Sequence, residues 1–211
     1  MASSPERQRI VRRVLIVALV AAVLVLAAAA WIVVPILTHN SAGSSGQDQL
    51  PEGFVNEARA EGADGRTREL VVETTAGSPA DLAQLTPGDE LIIRGSGFDA
   101  GIGIYVAICA VPSIPGEKPS PCLGGIPETA EGAVVAETSV WITDNFAWAA
   151  FANQGYDDAG AGIFTATLLV PESSSNGLDC TVSLCAITTR ADHTAANDRV
   201  QDLQLPVAFT R

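Results

Sequence analysis

Lysine is almost missing from this 211-residue chain: Lys118 is the only one. Histidine occurs twice, at His39 and His193, and aromatic residues make up 5% of the sequence. Twelve basic residues face 24 acidic ones, for a formal net charge of −12. Attraction to phosphate needs clustered Lys and Arg, so direct nucleic-acid binding is not expected. No G-x-S-x-G, H-E-x-x-H or G-K-[ST] string occurs. Without a paired catalytic constellation the chain reads as non-catalytic, with no cofactor and no metal implied. Four cysteines are too few for a disulfide-dense miniprotein but fit a domain with two staples.

What is present divides the chain. The average composition, 47% hydrophobic with mean hydropathy +0.27, conceals two unlike parts. Residues 1–13 carry Arg7, Arg9, Arg12 and Arg13 against Glu6, and residues 14–37 hold no charge at all over 24 positions. As a helix those 24 residues reach about 36 Å, enough to cross a hydrocarbon core of about 30 Å with some tilt. Trp31 and Pro35 suit an interfacial aromatic and a helix stop. A cleaved signal peptide is the competing reading, with Ala28 and Ala30 as an A-x-A-like site. Its usual apolar region of about 7–15 residues is shorter than this one. The arginines orient an uncleaved anchor with its N-terminus in the cytoplasm and residues 38–211 outside. Charge divides in the same way, +3 over residues 1–37 and −15 beyond them. So acidic a domain should avoid anionic lipid headgroups.

Residues 38–68 are rich in Gly, Ser, Asp and Glu and read as a flexible linker. From residue 69 to the end, short apolar runs alternate with turn residues. The expected strands are ELVVET (69–74), ELIIRG (90–95), GIYVAIC (103–109), AVVAETSVWIT (133–143), FAWAAF (146–151), GIFTATLLV (162–170), TVSLCAITT (181–189) and LQLPVAF (203–209). SPADLAQL (78–85) holds one helical turn at most. This pattern predicts an all-β fold, an antiparallel sandwich or barrel.

Cys109 and Cys122 bracket a proline-rich excursion, and Cys180 and Cys185 bracket four residues. Four cysteines allow three pairings, of which the sequential one closes two local loops. The alternative is a four-thiolate metal site, but zinc favours paired C-x2–4-C knuckles.

TPGDELIIRGSGFDAGIGIYVAICA (86–110) resembles the early strands of the neocarzinostatin-type apoproteins: Gly95-Ser-Gly97-Phe98, Ala100-Gly101, then Cys109-Ala110. Asp179-Cys180-Thr181 with Cys185 is similar to that family's second short disulfide loop, and PVAF (206–209) to its closing strand. The resemblance spans residues 69–211. It implies a seven-stranded immunoglobulin-like sandwich with a cleft for a small apolar chromophore, an enediyne in the type members. The Cys109–Cys122 disulfide would lie in the cleft floor. The loop before the last strand would form part of the wall, with Thr188, Arg190 and His193 as its candidates. Val111 replaces an aromatic of the type member, and both the 110–121 and 188–202 segments are longer here.

Other candidates come from the residues themselves. Gly95-x-Gly97-x-x-Ala100 fits a dinucleotide string only if a helix follows, and a strand-like run follows instead, so it reads as a glycine-bearing hairpin corner. Asp192-His193-Thr194 reads as a general base or metal ligand, or else as a loop held by Asp–Arg and Asp–His hydrogen bonds. Trp141, Phe146, Trp148, Phe151 and Tyr156 crowd into sixteen positions. In an extended FAWAAF, Phe146 and Trp148 share one face and Phe151 takes the other. They read as core or as the wall of an apolar ligand site. Tyr105 with His193 adds a third possibility, cell-surface haem capture. The sequence thus reads as a membrane-anchored, disulfide-stapled binding domain for a small apolar ligand. Two alternatives remain: an accessory subunit docking on an envelope or membrane protein, and haem binding.

Overall fold

The computed structural model describes residues 5–124 and 137–210. The chain forms two compact units, Met1–His39 and Asn40–Arg211. The first is a single helix, α1, Pro5–Thr38. Proline suits the first helical position, where its missing N–H costs nothing. The helix runs continuously from the basic stretch through the apolar one. Pro35 does not stop it. Only three residues follow, and the single bond that Pro35 removes is the one to the Trp31 carbonyl. The Thr38 hydroxyl donates back to the Val34 carbonyl at 2.8 Å. Gln8–Thr38 is long and apolar enough to cross a membrane.

The second unit is mostly β. One sheet has the order β1-β2-β3-β6: Glu57–Glu61, Thr67–Thr74, Glu90–Ser96 and Phe164–Leu169. The other has the order β10-β9-β4-β5: Gln204–Val207, Cys185–Ala191, Ile104–Ala110 and Ser139–Ile142. A small ribbon pairs β7, Ser174–Ser175, with β8, Leu178–Asp179. Every ladder among these strands is antiparallel. Alternation sets the inner faces. Leu70, Val72, Ile93 and Leu168 from the first sheet join Ile104, Val106, Ile108, Ile142 and Ile187 from the second in one buried cluster. The sheets therefore share one apolar core, as in a sandwich.

The described residues hold ten strands rather than seven. One extra strand, β1, comes from the stretch expected to be a flexible linker. That stretch is not free: Gln47 exchanges bonds with the Gln204 backbone at 2.8 and 2.7 Å, and the Ala42 N–H donates to Asp198 at 3.0 Å. FAWAAF is not a strand. Residues 146–151 form turns in which the Asn145 carbonyl accepts from Trp148 and Ala149 N–H. In the expected 133–143 strand only Ser139–Ile142 is extended, and residues 133–136 lie outside the described residues. The Gly95-x-Gly97 segment leads from β3 to β4, which lie in different sheets, so it is a corner between sheets and not a hairpin. Gly97 has φ 76°, and a Cβ there would strike the Thr67 carbonyl.

Both cysteine pairs are disulfides, Cys109–Cys122 and Cys180–Cys185, and no cysteine is free. A four-thiolate metal site is thereby excluded.

Arg68 occupies an inward position of β2 in line with Leu70 and Val72, and it is wholly buried. Its guanidinium fork binds both Asp64 oxygens, at 2.9 and 2.6 Å, and its Nε donates to Gln201 Oε1 at 2.7 Å. Gln201 also accepts from the Asp99 N–H and donates to the Asp99 carbonyl. One side chain thus joins the β1–β2 turn, the β3–β4 corner and the approach to β10. Arg68→Ala is expected to lower unfolding free energy by about 3–5 kcal/mol, because it leaves these partners unpaired in the interior. Urea unfolding followed by circular dichroism measures it.

Candidate functional site

The second sheet has an outward face as well as a core face. Cross-strand pairing sets Trp141 on β5 opposite Tyr105 on β4, and Tyr105 opposite Arg190 on β9. Because Ile104, Val106 and Ile142 point into the core, this row points out. The rings of Tyr105 and Trp141 lie 5.8 Å apart, and the Arg190 guanidinium lies 5.7 Å from the Tyr105 ring centre. The next row, Ser139, Ala107, Thr188 and Gln204, is small and polar. The third contains Cys109, Ala186 and Pro206.

Asp192, the residue after β9, organises the exposed end of this face. It is 1% exposed. Its N–H donates to the Gly103 carbonyl at 2.7 Å. One carboxylate oxygen accepts from Trp141 Nε1 at 2.9 Å; the other accepts from the N–H and hydroxyl of Thr194. This caps the short 3-10 turn His193–Ala195. Gly103 is required beside it, since a Cβ would run into the Asp192 carboxylate. Capping lifts His193 over the aromatic row. Its ring meets Trp141 edge-on at 5.2 Å, and its Nδ1 lies 3.2 Å from the Tyr105 hydroxyl. The expected Asp192–His193 hydrogen bond is not what holds the loop.

The turn at 145–152 adds two more rings. The Asn145 side chain accepts from the Ala147 N–H at 3.0 Å, an Asx turn that starts the reversal. Trp148 is thereby brought to 4.7 Å from His193, perpendicular to it, and to 6.5 Å from both Trp141 and Phe151. Phe151 remains 59% exposed. Burial, reinforced by the Asp192 charge, pushes the Tyr105 phenol up to about 12. The phenol is therefore neutral at physiological pH.

The structure brings together Trp141, Trp148, Phe151, Arg190 and His193, with Tyr105 between them. Two expected wall residues are placed differently. Thr188 is fully buried, its hydroxyl near the Ala107 carbonyl at 3.4 Å and Cys109 Sγ at 3.3 Å, so it belongs to the packed second row. Phe146 is 74% exposed and does not share a strand face with Trp148, because the turn separates them. Cys109–Cys122 closes the excursion whose Pro119 carbonyl accepts from Arg190 Nη1 at 2.9 Å. The Cys180–Cys185 loop is joined to that excursion by the Val111 N–H, which donates to the Leu184 carbonyl at 3.0 Å. Among the described residues no group of three His, Cys, Asp or Glu side chains is placed to hold a metal ion.

Asp192 was legible only as a neighbour of His193; its hold on Trp141, 51 residues away, has no signal in the sequence. Asp192→Asn should cost about 1–3 kcal/mol, because one amide oxygen cannot serve three donors. It should also red-shift tryptophan emission as Trp141 loses its anchor. Denaturant unfolding and emission spectra check both effects. The chain matches no protein-family model, no curated protein and no solved structure.

Proposed function

We propose that this chain is a membrane-anchored, extracytoplasmic binding protein that holds a small planar apolar ligand on the aromatic face of its second sheet. On this reading α1 is the anchor, its arginine-rich start stays in the cytoplasm, and the disulfide-stapled unit lies outside. The domain is an immunoglobulin-like sandwich of the neocarzinostatin type. Paired antiparallel four-stranded sheets and the two local disulfides support that assignment.

One observation carries the functional reading. Rings from four separate stretches of an aromatic-poor chain (Tyr105, Trp141, Trp148 with Phe151, and His193) converge on one outward sheet face. The indole N–H of Trp141 and the hydroxyl of Tyr105 already have partners within the protein. What those two residues offer to a ligand is therefore ring surface, which favours offset or edge-on contacts with another planar group. Haem ligation is less well supported: Tyr105 and His193 occupy each other, and the phenol resists the ionisation a tyrosinate ligand needs.

Biphenyl-4-methanol, a neutral aromatic probe, should bind the full chain in lipid nanodiscs above the level of empty nanodiscs in equilibrium dialysis. Trp148→Ala should weaken that binding about tenfold, the scale of one lost aromatic contact plus its buried area. Val182→Ala, on the exposed Cys180–Cys185 loop, should leave it unchanged. Equal binding by wild type and Trp148→Ala overturns the reading.

A further inference from the structure

Basic residues are scarce beyond the helix, eight against 23 acidic ones. Most of the placed ones have acidic partners: Arg66 and Arg68 with Asp64, Arg94 with Glu73, and Arg199 with Asp202. Three of the eight nevertheless gather at the Arg190 end of the aromatic row. Arg190 lies over Tyr105 and reaches the Pro119 carbonyl, next in sequence to Lys118. Asp202 lies two residues before Gln204, whose cross-strand partner Thr188 is two residues before Arg190. Strand register therefore sets Asp202, with its partner Arg199 at 2.9 Å, level with Arg190.

This cluster is electrostatically incomplete. Among the described residues, neither Lys118 nor Arg190 has a carboxylate at ion-pair distance. Arg190 Nε and Asp202 Oδ1 are both buried without a hydrogen-bond partner. Burial, with Arg190 and Arg199 nearby, lowers the Lys118 pKa; burial pushes the Asp202 carboxyl up to about 7. Asp202 thus carries only part of a negative charge near neutrality, and three cations share it. Like charges held together at a cost, beside a ligand-facing surface, are characteristic of binding sites.

Building on the proposed aromatic binding face, we infer that its ligand carries an anionic group, a carboxylate or similar oxyanion, which Lys118 and the Arg190 guanidinium receive while its ring lies along Tyr105, Trp141 and Trp148. A planar guanidinium lying over a ring suits an oxyanion attached to an aromatic system. The domain's overall −15 charge does not oppose this strongly. At physiological ionic strength charges more than about 8 Å away are largely screened, so the local cations dominate.

The test holds the ring constant and varies the charge. Biphenyl-4-carboxylate, biphenyl-4-methanol and 4-phenylbenzylammonium are dialysed against the full chain in nanodiscs at pH 7.4, with empty nanodiscs subtracted. The carboxylate should bind about tenfold tighter than the alcohol, the scale of one charge-assisted contact, and the ammonium weakest of the three. Lys118→Gln, a change at an exposed position, should remove most of that preference without changing affinity for the alcohol, and Arg190→Gln should act in the same direction. Equal binding of all three probes, or tightest binding of the ammonium, overturns the anionic assignment while leaving the aromatic face intact. If no probe binds, the aromatic reading falls and this inference falls with it.

Discussion

The carboxylate of Asp192 is the constraint on which the aromatic face depends. It is buried at the end of β9 and accepts from an indole on β5 and from the turn that follows it. Its own N–H is tied to the start of β4 through Gly103. A buried carboxylate is costly unless its oxygens are filled by donors. Here filling them fixes a tryptophan and a histidine at the same time. The demands of one charge therefore arrange rings that share no local sequence signal. Arg68 plays the matching part beneath the surface, where its fork and Nε join Asp64 and Gln201.

The legible strands fall into two kinds. β2, β3 and β6 alternate in burial, with Leu, Ile, Val and Phe at inward positions, whereas β4, β9 and β10 are largely buried on both faces and show as short runs containing Ile, Val, Leu or Thr. β1 was hidden, since its two buried residues are Ala58 and Ala60 among Glu and Arg. Alanine carries little hydrophobic contrast, and the flanking Gly and Ser imitate a tether. FAWAAF misled in the opposite direction. Its alternation is a coincidence of composition, and Asn145 at its start was the better signal, for a turn. The ribbon β7–β8 had a readable cue in Asn176-Gly177, both at positive φ, as a two-residue hairpin turn requires.

The candidate site was half legible. The concentration of aromatic residues was visible, but which rings meet depends on pairing between strands 36 residues apart, Tyr105 and Trp141. Thr188 was expected in the wall because it opens the 188–202 segment, while its register on β9 puts it in a buried row beside the disulfide. The basic cluster was invisible for the same reason. Lys118, Arg190 and Arg199 are scattered through an acidic sequence and meet only once the excursion folds back on β9.

The most direct test of the central claim, that a planar ligand lies on this face, is the indole N–H spectrum. The chain has three tryptophans, Trp31, Trp141 and Trp148. Each gives one resolvable indole signal in a nitrogen-15 correlation spectrum of the full chain in nanodiscs. Titration with biphenyl-4-carboxylate should move the Trp141 and Trp148 signals together along one saturable curve and leave Trp31 in place. Movement of Trp31 alone, or of none of the three, would contradict the account.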